Sequence, residues 1–284
     1  MSAYGCMPVV AVMGFGGGAT PSALVTLRGV VAVVVLGVVC ALTKQIRRIA
    51  AVPALGLLAL CGPLFGLQVV AFFSSVQHGG AQLAVVVAHI YPLLVIGLVW
   101  VRDREPISPW LAPVSFVILL GLVMVTASGG ALPSSLPVGL ALISAVGYAL
   151  YLVISEHWVH RVGTLRATGL VTAGATTTVG IYALFSEEHF ALSWSGWHAV
   201  LIQGLLLIPV GLGGGLYAVR RLGAVPIGML GILEPVVAVC LAAILLSERL
   251  TAFQWVGVVL ILAACAMVPY VTTRQRKQDP RSTR

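Results

Sequence analysis

The stretch that decides the fold is Gly223–Leu246, GAVPIGMLGILEPVVAVCLAAILL. A helix needs about 20 apolar residues to cross the hydrocarbon of a bilayer, and this run supplies them. Its one acidic residue, Glu234, stands near the middle, where a charge costs roughly 2.5–3.5 kcal/mol on insertion scales. Pro235 follows and has no N–H to donate, so it should loosen the helix at the same depth. The pattern is typical of a membrane helix that builds a polar site.

The composition places the whole chain in a membrane. Of its 284 residues, 60% are hydrophobic and 8% are charged, whereas soluble domains run near 25% charged. The formal charge is +8, but the basic residues lie between apolar segments and at the C-terminus, where membrane orientation explains them. We therefore expect an all-α integral membrane protein that does not bind nucleic acid.

Ten apolar segments predict ten transmembrane helices. Their bounds are roughly 3–18, 21–43, 52–76, 80–101, 108–128, 133–156, 166–186, 197–219, 223–246 and 252–271. The first is short, because its apolar run covers only Tyr4 to Phe15 before a glycine turn, too few residues to span. Either this helix is a truncated stub or the start codon lies upstream, and an upstream start is favoured.

The charges predict the orientation. If all ten segments span, all but two of the 16 basic residues fall on one side; the exceptions are Arg28, inside the second segment, and Arg249. The positive-inside rule then puts both termini in the cytoplasm. Without the first segment, the N-terminus moves outside and the later topology is unchanged.

The two halves of the chain repeat. A shift of 143 residues brings Pro92 onto Pro235 and Gly80-Ala81 onto Gly223-Ala224. Five segments per copy is an odd number, so the second copy enters the membrane inverted, a recurrent transporter design with its site near midplane. The predicted domains are a first repeat over 1–128, a second over 133–271 and a basic cytoplasmic tail over 272–284.

Two stretches resemble a known family. LEPVVAVCLAAILLSERLTAFQWVGVVLILA, from Leu233, resembles the second signature of the drug/metabolite transporter superfamily, EamA branch, and HIYPLLVIGLVWVRDREPISPWLAPVSFVILLG, from His89, resembles the first. The resemblance implies ten helices in two inverted repeats around a central cavity. It also implies transport of small metabolites, often export, across bacterial inner membranes. The first-half loop departs from the pattern, with Arg-Asp-Arg-Glu-Pro where the family more often has Gly-Glu-Arg-Leu.

Three residues near the midplane are candidates for the site. Glu234 could bind a substrate amine or a coupling proton, or be a protonated acid that only hydrogen-bonds the loosened backbone. Tyr91 occupies the matching place in the first copy, where its phenol could bind substrate or simply be satisfied in the core. His89 could serve as a proton site, although a core histidine is the commoner case.

Five further residues complete the candidate set. Gln68 and Phe72 are four apart on the third segment and share a face, as do Tyr148 and Tyr151, three apart on the sixth. Either pair could line a cavity or be ordinary packing. Arg28 could attract an anionic substrate group, pair with the buried acid, or snorkel toward the surface.

The sequence favours a secondary transporter, and probable substrates by resemblance are amino acids or related polar metabolites, exported by alternating access. Two alternatives stay open: an intramembrane enzyme acting on lipid or isoprenoid phosphates, and a non-transporting membrane assembly partner. No cofactor or metal is expected, and no P-loop occurs in the chain. The expected partners are a small-molecule substrate and the bilayer, with a homodimer as the assembly considered.

Overall fold

The computed structural model describes residues 6–45, 50–103, 111–126, 135–186, 188, 190–231 and, further on, 252, 253, 255–257, 259–261, 263, 264 and 267. Every regular element in these residues is a helix, so the all-α prediction is confirmed. Within them, five helical stretches are long and apolar enough to cross a membrane: Pro21–Leu42, Ala51–Gly80, Ser135–Val162, Thr164–Phe185 and Trp194–Leu222.

The elements follow one another with short connections. In chain order they are α1 Met7–Gly16, α2 Pro21–Leu42, α3 Ala51–Gly56, α4 Gly62–Ala88, α5 Tyr91–Asp103, α6 Leu111–Thr126, α7 Ser135–Val162, α8 Thr164–Phe185, α9 Trp194–Ile202, α10 Gly213–Leu222 and α11 Ala224–Leu230. Two π-helical segments, Leu57–Cys61 and Gln203–Leu212, join α3 to α4 and α9 to α10.

The predicted segments agree with these elements in some places and differ in others. The second segment, predicted over 21–43, is α2, and the first is the 10-residue α1. The third and fourth are not separated by an irregular loop, because α4 runs through both and reverses at Gly80, whose φ is 81°. A positive φ is readily adopted only by glycine. Most of the ninth segment, beyond residue 231, lies outside the described residues.

The two π-helical segments coincide with prolines. Pro63 is the second residue of α4, and Pro209 lies inside the second π segment. A proline ring clashes with the carbonyl four residues earlier and offers no N–H to it. A π turn widens the helix at that carbonyl, which belongs to Ala59 in one case and Leu205 in the other. Both long helices therefore cross the membrane without a sharp break.

Small residues set the closest helix crossings. Gly62 faces Gly174, and a Cβ added at Gly62 would lie 2.6 Å from the Gly174 Cα. A Cβ at Gly174 would run into the Leu58 carbonyl oxygen. This crossing brings α8 directly onto α4 and the first π segment. Close backbone approach through small residues is the usual way in which membrane helices associate.

The bundle has two distinct ends. At one end, the ring of Trp158 covers Gly56, where an added Cβ would lie 2.6 Å from the ring, and Arg102 lies beside Glu156. At the other end, the Ser75 hydroxyl donates to the Pro137 carbonyl at 2.7 Å. We call the first the basic end, because the loops that meet there carry the basic residues.

We expect Gly174→Ala to lower the melting temperature of the purified protein in detergent by several degrees. The added methyl group must displace the Leu58 carbonyl, and overpacking a tight contact costs typically 1–3 kcal/mol. The measurement is thermal unfolding followed by size-exclusion chromatography.

Gly169→Ala is the matched control, since it makes the same change on α8 and its Cβ would meet nothing within 4 Å. It should leave the melting temperature unchanged or slightly higher, because alanine favours helix over glycine. Equal melting temperatures for the two variants would show that the crossing is not tight.

Candidate functional site

The candidate site is built on a break in the fourth apolar segment. Helix α4 ends at Ala88, residues 89 and 90 form a turn, and α5 begins at Tyr91. Pro92 is the second residue of α5, where a missing N–H costs the helix nothing. The His89 ring bridges back across the break, with Nδ1 2.7 Å from the Val85 carbonyl oxygen. The break exposes backbone groups inside the protein, which is where a membrane protein tolerates them.

An aromatic cluster surrounds this break. The rings of Tyr91 and Tyr148 meet edge to face at 4.8 Å between centroids, and Tyr148 stacks on Tyr151 at 5.9 Å. His89 lies 5.7 Å from Tyr91, and Phe65 lies 5.0 Å from Tyr151. These five side chains come from α4, the break, α5 and α7, and we call them the aromatic cluster. Tyr148 is half-buried, whereas the other four are buried.

Gln68 and Phe72 lie on the same helix as Phe65. The Ser144 hydroxyl of α7 donates to Gln68 Oε1 at 3.1 Å. A Cβ at Gly147 would come within 2.8 Å of the Gln68 Cβ, so a glycine is needed for this approach. Phe72 is half-buried, with its ring 6.0 Å from that of Phe73. The Gln68 amide is thus fixed between α4 and α7.

Tyr91 also packs against α11. A Cβ at Gly228 would lie 3.7 Å from the Tyr91 ring, and a Cβ at Gly231 would collide with the Tyr91 hydroxyl oxygen. Two glycines one turn apart therefore receive the ring and its hydroxyl. Along the sequence this helix leads to Glu234, the principal predicted residue, which lies outside the described residues.

Arg28 lies on the opposite side of α4 from Gln68. Its side chain is 1% exposed, and its Nη1 donates to Gln203 Oε1 and, at 3.5 Å, to Met7 Sδ. The guanidinium carbon lies 4.8 Å from the centroid of the Phe73 ring, a cation–π distance. The arginine thus points into the bundle, and it contacts α1, α4 and the second π segment from α2.

A small cavity of about 10 Å³ adjoins Arg28 and reaches Phe65, Thr172 and Thr176. That volume has room for about one water molecule. Phe65 lines this cavity and contacts Tyr151 of the aromatic cluster. The arginine and the cluster are therefore neighbours separated by one aromatic ring.

The structure brings together most of the predicted residues. His89, Tyr91, Tyr148 and Tyr151 form one group, with Gln68 and Phe72 on the adjoining helix. The sequence analysis did not select Phe65, Ser144, Phe73 or Gly231. Helical spacing carried a signal for Phe65, which is three residues before Gln68 and seven before Phe72.

We expect Gly231→Ala to lower the melting temperature, because the new methyl group needs the space that the Tyr91 hydroxyl fills. Adding Tyr91→Phe should restore part of the loss by removing that oxygen. Size-exclusion thermal stability of the two single variants and the double variant measures the coupling.

Gly228→Ala is the control on the same helix, since its Cβ would make only ordinary contacts, the nearest at 3.6 Å to Val95. It should cost little. Strictly additive losses in Gly231→Ala and Tyr91→Phe would contradict the contact between these two residues.

Comparison with known proteins identifies part of the chain. Residues 135–270 match the EamA-like transporter family. An uncharacterized transporter, YcbK of Bacillus subtilis (strain 168), is 29% identical over 196 residues, which is 65% of this chain and 62% of that relative's length. A solved crystal structure superposes with a TM-score of 0.77 at 20% sequence identity, covering 96% of this chain and 95% of the other, which shows a shared fold.

These matches agree with the apolar helices. Five described helical stretches are able to span a bilayer, and the family match covers the second of the two stretches in which the resemblance was noticed. The chain is a multi-pass membrane protein that carries an EamA-like transporter domain, and the predicted resemblance to the EamA branch is confirmed.

Proposed function

We propose that this protein is a secondary transporter of small polar metabolites, with the aromatic cluster as part of its substrate site. The observation that carries the proposal is the break between α4 and α5, lined by the aromatic cluster and packed against α11. A polar, aromatic-lined interruption of a membrane helix is costly unless it is used. The matches to a transporter family and to a relative named as a transporter support it.

The finer architecture in this proposal is ten helices in two inverted repeats, 1–128 and 133–271. Helices α2 and α8 support it, because both have 22 residues and both ends of α8 lie 143 residues after those of α2. Glycines at the same spacing, Gly80 and Gly223, have φ values of 81° and 91°. Each repeat also has one π-helical segment, in the third and eighth apolar segments.

The helix crossings obey the same relation. Gly174 of α8 meets the third segment at Gly62, and Val31, which is 143 residues before Gly174, meets the eighth segment at Gly204. A Cβ at Gly204 would lie 2.7 Å from the Val31 Cβ. Two equivalent crossings with the helix roles exchanged are what a pseudo-twofold axis in the membrane plane produces.

The residues have distinct roles in the proposed site. Glu234 carries the coupling proton or pairs with a substrate ammonium group, and the Tyr91 hydroxyl faces it across the α11 glycines. Tyr148 and Tyr151 offer ring faces and hydroxyls, which suit a partly apolar substrate with one cationic group. Gln68 supplies an amide from α4. Export of an amino acid or related metabolite rests on the family resemblance.

His89, Phe72 and Arg28 have supporting roles. His89 holds the turn at the break through its contact with the Val85 carbonyl. Phe72 closes the site along α4. Arg28 sets the position of the wall behind Phe65 and places a positive charge one ring away from the cluster.

The proposed orientation puts the basic end and the C-terminus in the cytoplasm of a bacterial cell. The described basic residues Lys44, Arg102, Arg161, Arg220 and Arg221 lie at or next to helix ends that belong to the basic end. The excess of lysine and arginine on one side is the determinant of orientation in the positive-inside rule.

The test is flux of labelled amino acids into proteoliposomes, with and without a pH gradient, for the wild type and Glu234→Gln. We expect the gradient to drive flux in the wild type, and we expect Glu234→Gln to reduce that flux at least tenfold. The variant keeps the size of the side chain and removes its titratable proton.

Asp279→Asn, which removes a carboxylate from the tail, should leave flux unchanged. Equal gradient-driven flux in the wild type and Glu234→Gln would overturn the assigned role of Glu234. Tyr148→Phe and Tyr151→Phe separate substrate contact from packing, since a change in the half-saturating concentration at an unchanged melting temperature indicates contact.

A further inference from the structure

A single carboxylate joins three helices at the basic end. Glu156, near the end of α7, accepts a hydrogen bond from Arg102 Nη1 of α5 at its Oε2, 3.0 Å away. Its Oε1 accepts from the backbone N–H of Ala224, the first residue of α11, at 3.2 Å. Both carboxylate oxygens are thereby used. We call Arg102, Glu156 and Ala224 the Glu156 tie.

The turn before α11 is shaped to receive this carboxylate. Gly223 ends α10 with a φ of 91°, and a Cβ there would lie 2.9 Å from Glu156 Oε1. Any side chain at this position would be strained in its backbone and would press on the carboxylate. The turn therefore brings the Ala224 N–H directly to Glu156.

Arg102 is held in place by a second acid. Its Nε and Nη2 donate to the two oxygens of Asp103 at 2.6 and 2.8 Å, and its Nη1 also reaches the Val153 carbonyl at 3.4 Å. Hydrogen bonding to Arg102 lowers the pKa of the Asp103 carboxyl below its usual value. Asp103 thus remains charged and fixes the guanidinium, while only Glu156 connects that guanidinium to the other two helices.

The helices in the tie are the two that flank the candidate site. Helix α5 begins at Tyr91, and Tyr91 packs against Gly228 and Gly231 of α11. Arg102 is eleven residues further along α5, about 16 Å at the rise of an α-helix. The tie therefore joins α5 and α11 at the basic end, on the path from the site to that surface.

The tie has no ionic counterpart in the other copy of the repeat. Residues 143 positions away from Arg102, Glu156 and Ala224 are Leu245, Met13 and Ala81, all of them apolar. The sequence therefore provides a carboxylate and a guanidinium for one end of the bundle only.

We propose that the Glu156 tie is the gate of the site at the basic end, and that Glu156 must release Arg102 and Ala224 before the site opens to that side. The proposal rests on the proposed transport function. The gate closes when both contacts form and draws α5 and α11 together over the aromatic cluster.

The test measures access to a cysteine behind the gate. Val95 is fully buried on α5, between Tyr91 and Arg102 and beside Gly228. Val95→Cys, in a protein without its native cysteines, is treated with a membrane-impermeant thiol reagent in vesicles of each orientation. Glu156→Gln should raise the rate of modification from the basic end at least tenfold and leave the rate from the other side unchanged.

Three comparisons isolate the ion pair. Arg102→Gln should raise the rate as Glu156→Gln does, and the double variant should add little, because both remove one interaction. Asp103→Asn removes a neighbouring charge that does not reach α7 or α11, and should change the rate less than twofold. High salt should accelerate modification of the wild type only, since the Arg102 and Glu156 side chains are 41% and 22% exposed.

His160→Cys, exposed near the same end of α7, corrects for access of the reagent. An unchanged rate in Glu156→Gln, in protein that elutes as a single folded species, would overturn the gate. Modification does not depend on substrate, so gated access without flux would contradict the proposed transport and keep the gate. Flux with unchanged access would do the reverse.

Discussion

The hydrocarbon of the bilayer offers backbone N–H and C=O groups no water to bond, so each must be satisfied within the protein. Continuous helices meet this constraint in α2, α7 and α8. In α8, the hydroxyls of Thr168, Thr172 and Thr176 also donate to carbonyls one turn earlier, at 2.7 to 2.8 Å. Polar side chains on this helix are thereby satisfied locally.

The same constraint determines where irregular backbone occurs. The π segments keep the helical hydrogen bonding going past Pro63 and Pro209, and the break before Tyr91 is covered by α7 and α11. Interruptions are tolerated because neighbouring helices come close enough to exclude lipid. The glycines at 62, 174, 228 and 231 make that approach feasible, so the tight crossings and the broken helix depend on one another.

Local pattern predicted the helices well and their mutual contacts poorly. Hydrophobic runs of the right length gave α2 almost to the residue, and proline marked the position of the break at Tyr91. The shared faces of Gln68 with Phe72 and of Tyr148 with Tyr151 follow from helical spacing. Which face meets which neighbour depends on the rotation and crossing of whole helices, and a period of 3.6 residues does not contain that information.

The residues that the sequence analysis missed are those defined by such crossings. Arg28 was considered for an anion, for the buried acid or for the surface, but its contact with Gln203 joins residues 175 positions apart. Glu156 lacked an acid or histidine cluster along the chain, and its partners come from α5 and the start of α11. Gly80 was predicted to begin a new segment, and a single φ value decides that the helix reverses there without a loop.

The one-sided position of the Glu156 tie has a kinetic consequence. A carrier whose two closed ends were chemically alike would have states of similar free energy and similar half-saturating concentrations on its two faces. Here one end has an ion pair, whereas the matching positions are apolar, so the two faces should bind the same substrate with unequal apparent affinity. The final accumulation ratio is unaffected, because the gradients alone determine it. The protein would work as a rectifier in rate while remaining reversible at equilibrium.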